Sequence, residues 1–286
     1  VSDSKRILVV GAGGPAGLGM ARCLSVPELG YEVYGKDESR WGSLAMEVPF
    51  AVQPDSTYNL IMPVPDRAVL SYSQSRIAFL PPAYQLELCQ DKERTARVLD
   101  DLAPKTIWVR DTKGAGGSGA QMASEYLPGR NYSVELVYNK GVLLAYFQKR
   151  RISYLVKKTE HLVTASGSSA VSICVNDPDL LSRAVDAIGR VCKETTTQAH
   201  GFYGIDFKES EKGERLITEI NAGRLLTASY SYFWLTGWNL PAIGARAYFG
   251  QDPLELPDYP AGCGVIRQAD MEPKLFGPEE TEAWDY

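Results

Sequence analysis

Three polar residues late in the chain have the types and spacing to hold a hard cation. The stretch Arg215-Leu216-Ile217-Thr218-Glu219-Ile220-Asn221 alternates like a strand. Strand periodicity puts Glu219 and Asn221 on one face with Ile217, and Leu216, Thr218 and Ile220 on the other. A preceding strand over 202–207 carries Asp206 and is joined to it by the polar turn 208–214. A favourable register brings Asp206 alongside Glu219. Asp, Glu and Asn oxygens converging from adjacent strands suit Mg²⁺, which takes few protein oxygens and completes its shell with phosphate. Ile217 on the same face implies that this face is at least partly covered.

Two glycine-rich segments could approach phosphate. Ile107-Trp108-Val109-Arg110 reads as a strand running into a loop with glycines at 114, 116, 117 and 119. Successive N–H groups in such a loop can converge on an anion, and Arg110 and Lys113 add charge. It is not a Walker A loop, because no Gly-Lys-Ser/Thr follows; a flexible surface loop is the competing reading. The earlier turn, 11–17, follows the apolar run Ile7-Leu8-Val9-Val10 and opens a helical pattern through Met20, Ala21 and Leu24, as in a βαβ unit. Gly11, Gly13 and Ala16 fit the loose dinucleotide fingerprint, with Asp37 closing the next strand, 32–36, as the ribose acid. Pro15 removes an amide that a pyrophosphate would want, so close strand–helix packing is favoured over a ligand.

The elements that must position these residues follow from pattern. Residues 59–64 read as a buried strand, Asp66-Arg67 as a helix start, and 86–99 as continuing helical spacing. Two alternating stretches, 132–138 and 142–148, flank Asn139-Lys140-Gly141 and form a hairpin. Lys149-Arg150-Arg151 at its end reads as a solvated strand end, with a phosphate- or carboxylate-facing role as the alternative. Asp177-Pro178 starts a helix whose apolar face is Leu180, Leu181, Ala184, Val185, Ile188 and Cys192. Residues 227–234 read as a partly buried helix and 264–267 as a strand.

Composition sets the outer bounds. A chain of 286 residues with 44% apolar and 23% charged residues is globular and long enough for about two domains. The balance of 30 Lys+Arg against 35 Asp+Glu, net −5, argues against nucleic acid as a partner. Five scattered cysteines without a CxxC, and only two histidines, speak against a disulfide framework or a zinc centre. No stretch approaches the ~20 apolar residues of a membrane span, so a cytoplasmic protein with no membrane partner is expected.

Taken in order along the chain, these motifs resemble the ATP-grasp superfamily of ligases, in particular its carbamoyl-phosphate-synthase-like branch. The resemblance covers about 6–250 and is most specific at Glu219-Ile220-Asn221-x-x-Arg224. It implies an α/β fold, α+β in its C-terminal part. A pre-ATP-grasp, Rossmann-like domain would span 1–82 and an ATP-grasp domain 83–250, with a small lid at about 105–138. A C-terminal extension, 251–286, would pack on that core. Lys92 and Arg110 would meet ATP phosphates beneath a covering loop containing Lys113, Gly116, Gly117 and Ser118. Glu125-Tyr126-Leu127 would form the hinge whose backbone binds adenine, and Asn131 would stand at the ribose where members usually have an acid. Asp206, Glu219 and Asn221 would hold Mg²⁺, with Mn²⁺ as a substitute, and Arg224 would steady the transferred phosphate.

The implied reaction activates a small-molecule carboxylate as an acyl phosphate and joins it to an amine, releasing ADP and phosphate; a homodimer is compatible with it. Two departures stand out. Arg224 follows Ala222-Gly223 where many members have a single Pro, and the joints Thr106–Ile107 and Gln121–Met122 leave no room for helices that members carry there. Segments are therefore expected to be missing at both joints. The competing functions are an NAD(P)-dependent oxidoreductase using the first glycine turn and a non-catalytic ATP-binding module.

Overall fold

In a computed structural model, which describes residues 4–110, 120–155, 168–268 and 271–284, the apolar run at the start is strand β1 (Lys5–Val10). Its four apolar residues are buried on both faces: Ile7 and Val9 join one core and Leu8 and Val10 another. Helix α1 (Pro15–Leu24) follows, then β2 (Tyr31–Lys36), α2 (Arg40–Ala45), β3 (Leu60–Pro63) and α3 (Asp66–Ser71). The three strands form a parallel sheet in the order β2-β1-β3.

Residues 83–99 form two helices, α4 (Ala83–Gln90) and α5 (Lys92–Leu99), rather than the continuous pattern read from the sequence. Asp91 breaks the run because its carboxylate accepts from the Arg94 N–H at 3.0 Å and caps α5. Strands β4 (Thr106–Arg110) and β5 (Ala120–Ser124) pair antiparallel as a separate two-stranded sheet. Both suspect joints lie inside these strands, Thr106 opposite Ser124 and Trp108 opposite Met122, with no interruption of the register.

The remainder is built on an antiparallel sheet of seven strands in the order β10-β9-β6-β7-β8-β11-β12. In chain order these are β6 (Asn131–Asn139), β7 (Val142–Tyr154), β8 (Ser169–Cys174), β9 (Gly201–Glu209), β10 (Arg215–Ala222), β11 (Gly264–Gln268) and β12 (Met271–Phe276). The β6–β7 hairpin turns at Lys140 and Gly141, with φ of 48° and 87°, the left-handed pair that a two-residue turn requires. Helix α6 (Pro178–Thr195), capped by Asp177, packs Leu180, Ala184, Ala187, Ile188 and Val191 on one sheet face. Val185, read as part of the apolar face, is exposed. The other face carries α7 (Ser229–Thr236) and α8 (Leu240–Tyr248), and Phe147 of β7 meets Tyr232 and Phe233 there. A last short helix, α9 (Pro278–Thr281), follows the sheet.

The five cysteines are free, and no helix among the described residues is long and apolar enough to cross a membrane.

Candidate active site

Register brings the late polar residues into a row across the sheet. Glu219 on β10 is opposite Asp206 on β9, Asp206 opposite Ser133 on β6, and Ser133 opposite Lys149 on β7. The register of β10 shifts between Ile217 and Glu219, a β-bulge at Thr218. This corrects the face assignment read from strict alternation. The extra residue moves Ile217 into the α6-side core with Ile220 and leaves Glu219 on the other face. What covers Glu219 is therefore not Ile217 but the neighbouring polar side chains.

Those side chains enclose a cavity of about 120 Å³ lined by Asp206, Glu219, Asn221, Arg224, Lys149 and Arg151, among others. The four residues singled out late in the sequence, Asp206, Glu219, Asn221 and Arg224, are thus brought together. Arg224 is reached through Gly223, whose φ of +87° turns the chain sharply and whose Hα faces Val69 of α3; a Cβ there would lie 2.5 Å from Val69 Cγ1. The turn delivers the guanidinium to two partners. Arg224 Nη2 donates to Asn221 Oδ1, and Nε lies 2.7 Å from Asp66 Oδ1 at the start of α3, off the N–H axis so that the contact is ionic. The Glu219 side chain makes no hydrogen bond or ion pair among the described residues.

The cationic run at the end of β7 is not a solvated strand end. Lys149 is 1% exposed and Glu135 0%, and Lys149 Nζ donates to Glu135 Oε1 at 2.9 Å. Ser229 of α7 also donates to Glu135 Oε1 and accepts from Lys149. Burial lowers the Lys149 pKa, opposed by Glu135 and reinforced by Arg151. Arg151 reaches across β6 to pair with Asp206. Alternation along β7 could have flagged Lys149 and Arg151 as sharing one face, but their depth depends on what α7 brings over that face. Asp66, Ser168, Ser169 and Arg267 were also missed. Ser169 Oγ is buried in the cavity wall with no hydrogen-bond partner among the described residues, and Ser168 Oγ accepts from Arg267 Nη1 at 2.8 Å.

A second cavity of about 140 Å³, lined by Lys92, Thr106, Ser124 and Ile217 among others, lies between α5, the β4–β5 sheet and β10. Glu219 borders both cavities, so the cleft lined by Lys92 adjoins the one lined by Asp206 and Asn221. Near it, Leu127 is buried, Glu125 is exposed with its N–H bonded to Lys105 O at 2.8 Å, and Tyr126 is 79% exposed beneath Lys208 Nζ. Asn131 opens β6 in register with Lys208 and Arg151. Arg110 is the last residue of β4. Lys113, Gly116, Gly117 and Ser118 lie outside the described residues.

Among the described residues no cluster of three or more His, Cys, Asp or Glu has metal-holding geometry. The site offers two carboxylates and an amide, which is the donor set Mg²⁺ uses when phosphates supply the rest of its shell. The first glycine turn, by contrast, is filled by the chain itself. Asp37 accepts from the Gly13 N–H at 3.1 Å and the Ser39 N–H at 2.9 Å, and a Cβ on Gly13 would lie 2.0 Å from the Gly42 carbonyl oxygen of α2. Its glycines serve close packing, and Asp37 is taken by backbone rather than left for a ribose.

No protein-family model and no curated protein matches the sequence. Solved structures do. A phosphoribosylglycinamide synthetase from Anaerococcus prevotii superposes with a TM-score of 0.65 at 12% identity, over 92% of this chain and 81% of that one. A putative ATP-grasp superfamily protein from Archaeoglobus fulgidus gives 0.59 at 16% identity, over 95% and 98%. An L-amino acid ligase from Bacillus licheniformis gives 0.58 at 13% identity, over 93% and 80%. With its antiparallel sheet, separate two-stranded sheet and carboxylate-bearing β9–β10 pair, the chain has the ATP-grasp fold.

Proposed function

We propose that this protein is an ATP- and Mg²⁺-dependent ligase that phosphorylates a small-molecule carboxylate and passes the acyl group to an amine, releasing ADP and phosphate. The observation that carries the reading is the convergence of Asp206, Glu219, Asn221 and Arg224 in one cavity that abuts, at Glu219, the cleft holding Lys92. Residues 1–82 would then be the pre-ATP-grasp domain, 83–250 the ATP-grasp domain with 105–138 as its lid, and 251–286 an extension whose β11 and β12 complete the sheet.

In this reading the nucleotide lies in the cleft between the β4–β5 sheet and β10, with adenine toward Glu125-Tyr126-Leu127 and ribose toward Asn131. Lys92 and Arg110 neutralise its phosphates, with Lys113, Gly116, Gly117 and Ser118 closing over them. Asp206, Glu219 and Asn221 would hold Mg²⁺, which supplies neutralisation of charge on the transferred phosphoryl group. Arg224, steered by Gly223 and anchored at Asp66, offers fixed positive charge where the carboxylate oxygen attacks. Preorganised charge of this kind is the main lever a protein has on phosphoryl transfer.

The test is coupled ADP release from Mg·ATP with pools of carboxylates and amines. ADP formation that requires both an added carboxylate and an amine is the expected result. Thermal stabilisation by NAD(H) but not by Mg·ADP would refute it in favour of the oxidoreductase, and nucleotide binding without turnover over broad pools would refute the ligase step.

A further inference from the structure

The ion pair between Arg151 and Asp206 joins two side chains only 11% and 14% exposed, both in the cavity wall. Arg151 gets there from two strands away. In register it stands opposite Asn131, one step from the Ser133 that separates Lys149 from Asp206, and the small Ser133 leaves room for its arm to cross β6. Two strand spacings are about 9.5 Å, within the reach of an extended arginine. The partner it finds is one of the two carboxylates that the proposed function gives to the metal.

The other cations of the cavity are committed elsewhere. Lys149 is locked to Glu135 and Ser229, and Arg224 is held by Asn221 and Asp66. If Asp206 turns to a divalent ion, Arg151 alone loses its counter-charge, in a site with little access to water. Arg151 would keep only its contact with the Tyr154 hydroxyl, and a nearly buried charge without a counter-charge is costly, so the change is favourable only when an anion arrives to take the carboxylate's place.

Resting on the proposed ATP-dependent reaction, we propose that Arg151 is an exchangeable counter-cation: it neutralises Asp206 in the ligand-free protein and becomes a phosphate-contacting side chain once Asp206 binds the divalent ion. Arg151 thereby makes metal and nucleotide triphosphate binding mutually dependent. The metal alone must evict Arg151, whereas metal and γ-phosphate together leave every charge paired. Linkage requires the dependence to be reciprocal.

The experiment is Mn²⁺ binding followed by electron paramagnetic resonance, with Mn²⁺ as a paramagnetic probe, on the wild type, Arg151→Gln and Arg151→Lys. Each is measured alone and with a non-hydrolysable ATP analogue, and circular dichroism checks that each is folded. In Arg151→Gln, Mn²⁺ alone should bind about tenfold more tightly than in wild type, equivalent to ~1.4 kcal/mol, because Asp206 is no longer paired. The enhancement of Mn²⁺ affinity by the analogue should shrink by a similar factor, and Arg151→Lys should keep most of it. Unchanged or weaker Mn²⁺ binding in folded Arg151→Gln, while the wild type binds Mn²⁺ and analogue, overturns the exchange and leaves the ligase reading standing. No Mn²⁺ binding by wild type even with the analogue overturns both.

Discussion

Replacing Lys149 by methionine should destabilise the protein far more than a surface lysine would. Lys149 and Glu135 are essentially inaccessible, 2.9 Å apart, and share the Ser229 hydroxyl. Glu135 Oε2 has no hydrogen-bond partner among the described residues. Without the ammonium, a buried carboxylate keeps a single hydroxyl donor, and breaking such a pair from one side typically costs about 3–5 kcal/mol. Against a total stability of roughly 5–15 kcal/mol this is a large fraction. With a urea m-value near 3 kcal/mol/M, the upper end for single domains, it shifts the midpoint down by about 1–2 M. Urea unfolding followed by tryptophan fluorescence measures the shift. The double variant Glu135→Gln/Lys149→Met, in which neither charge remains, should recover much of the loss, because removing both ions also removes their desolvation cost. The sign of the pH dependence is also set. Burial lowers the Lys149 pKa in the folded state. Between that lowered value and the ordinary ~10.4, the unfolded chain holds more protons at this site, so its contribution to stability rises with pH. The gap between wild type and Lys149→Met should accordingly widen toward alkaline pH. A midpoint shift below about 0.3 M, or a double variant as unstable as the sum of the singles, would refute the view that this pair is buried and mutually dependent.

Further outcomes are expected at three other positions. Glu219→Ala should abolish metal-dependent turnover while leaving the unfolding free energy within about 0.5 kcal/mol of wild type, since Glu219 makes no ion pair among the described residues; retained turnover would remove it from the metal site. Gly223→Ala places a methyl 2.5 Å from Val69 Cγ1 at a φ of +87° and should cost about 1–3 kcal/mol while lowering affinity for ATP more than for ADP, because Arg224 is displaced with the turn. Equal losses for the two nucleotides would separate the turn from Arg224. His200 has its pKa lowered by burial and by Lys140, and its Nδ1 accepts the Lys140 N–H at 3.3 Å. Its contribution to stability is therefore complete above about 6.5 and falls as pH drops toward the lowered folded value, where the unfolded chain takes up the proton first. Denaturant midpoints between pH 4.5 and 7.5 should show a shallower acid-side slope in His200→Gln than in wild type.

What could be read from sequence depended on whether the signal was local. Ile7 to Val10, the Asn139-Lys140-Gly141 turn and the Asp177-Pro178 helix start each carry their cause in adjacent residues, and each appears where expected. Asp206, Glu219 and Asn221 could be grouped because β9 and β10 are consecutive strands joined by a short turn, which leaves only their register open. The bulge at Thr218 lay beyond alternation, since Leu216 to Ile220 reads equally well with or without an extra residue. It shows itself only in which side chains α6 covers. Lys149 and Arg151 were misjudged for a related reason: three cationic residues in a row look solvated until a second layer is known, and that layer is α7, some eighty positions later. Arg224 joins the two kinds of information. Its extra preceding residue was visible as a departure from the resembled pattern. The reason for it is Gly223, which must be glycine to turn left-handed against Val69 and so carries the guanidinium toward Asp66. The position of Arg224 is thus set by α3, which packs against the end of the strand that bears Glu219. The first parallel sheet is therefore part of what builds the cavity, even though its own glycine turn is closed by Asp37 and Gly42.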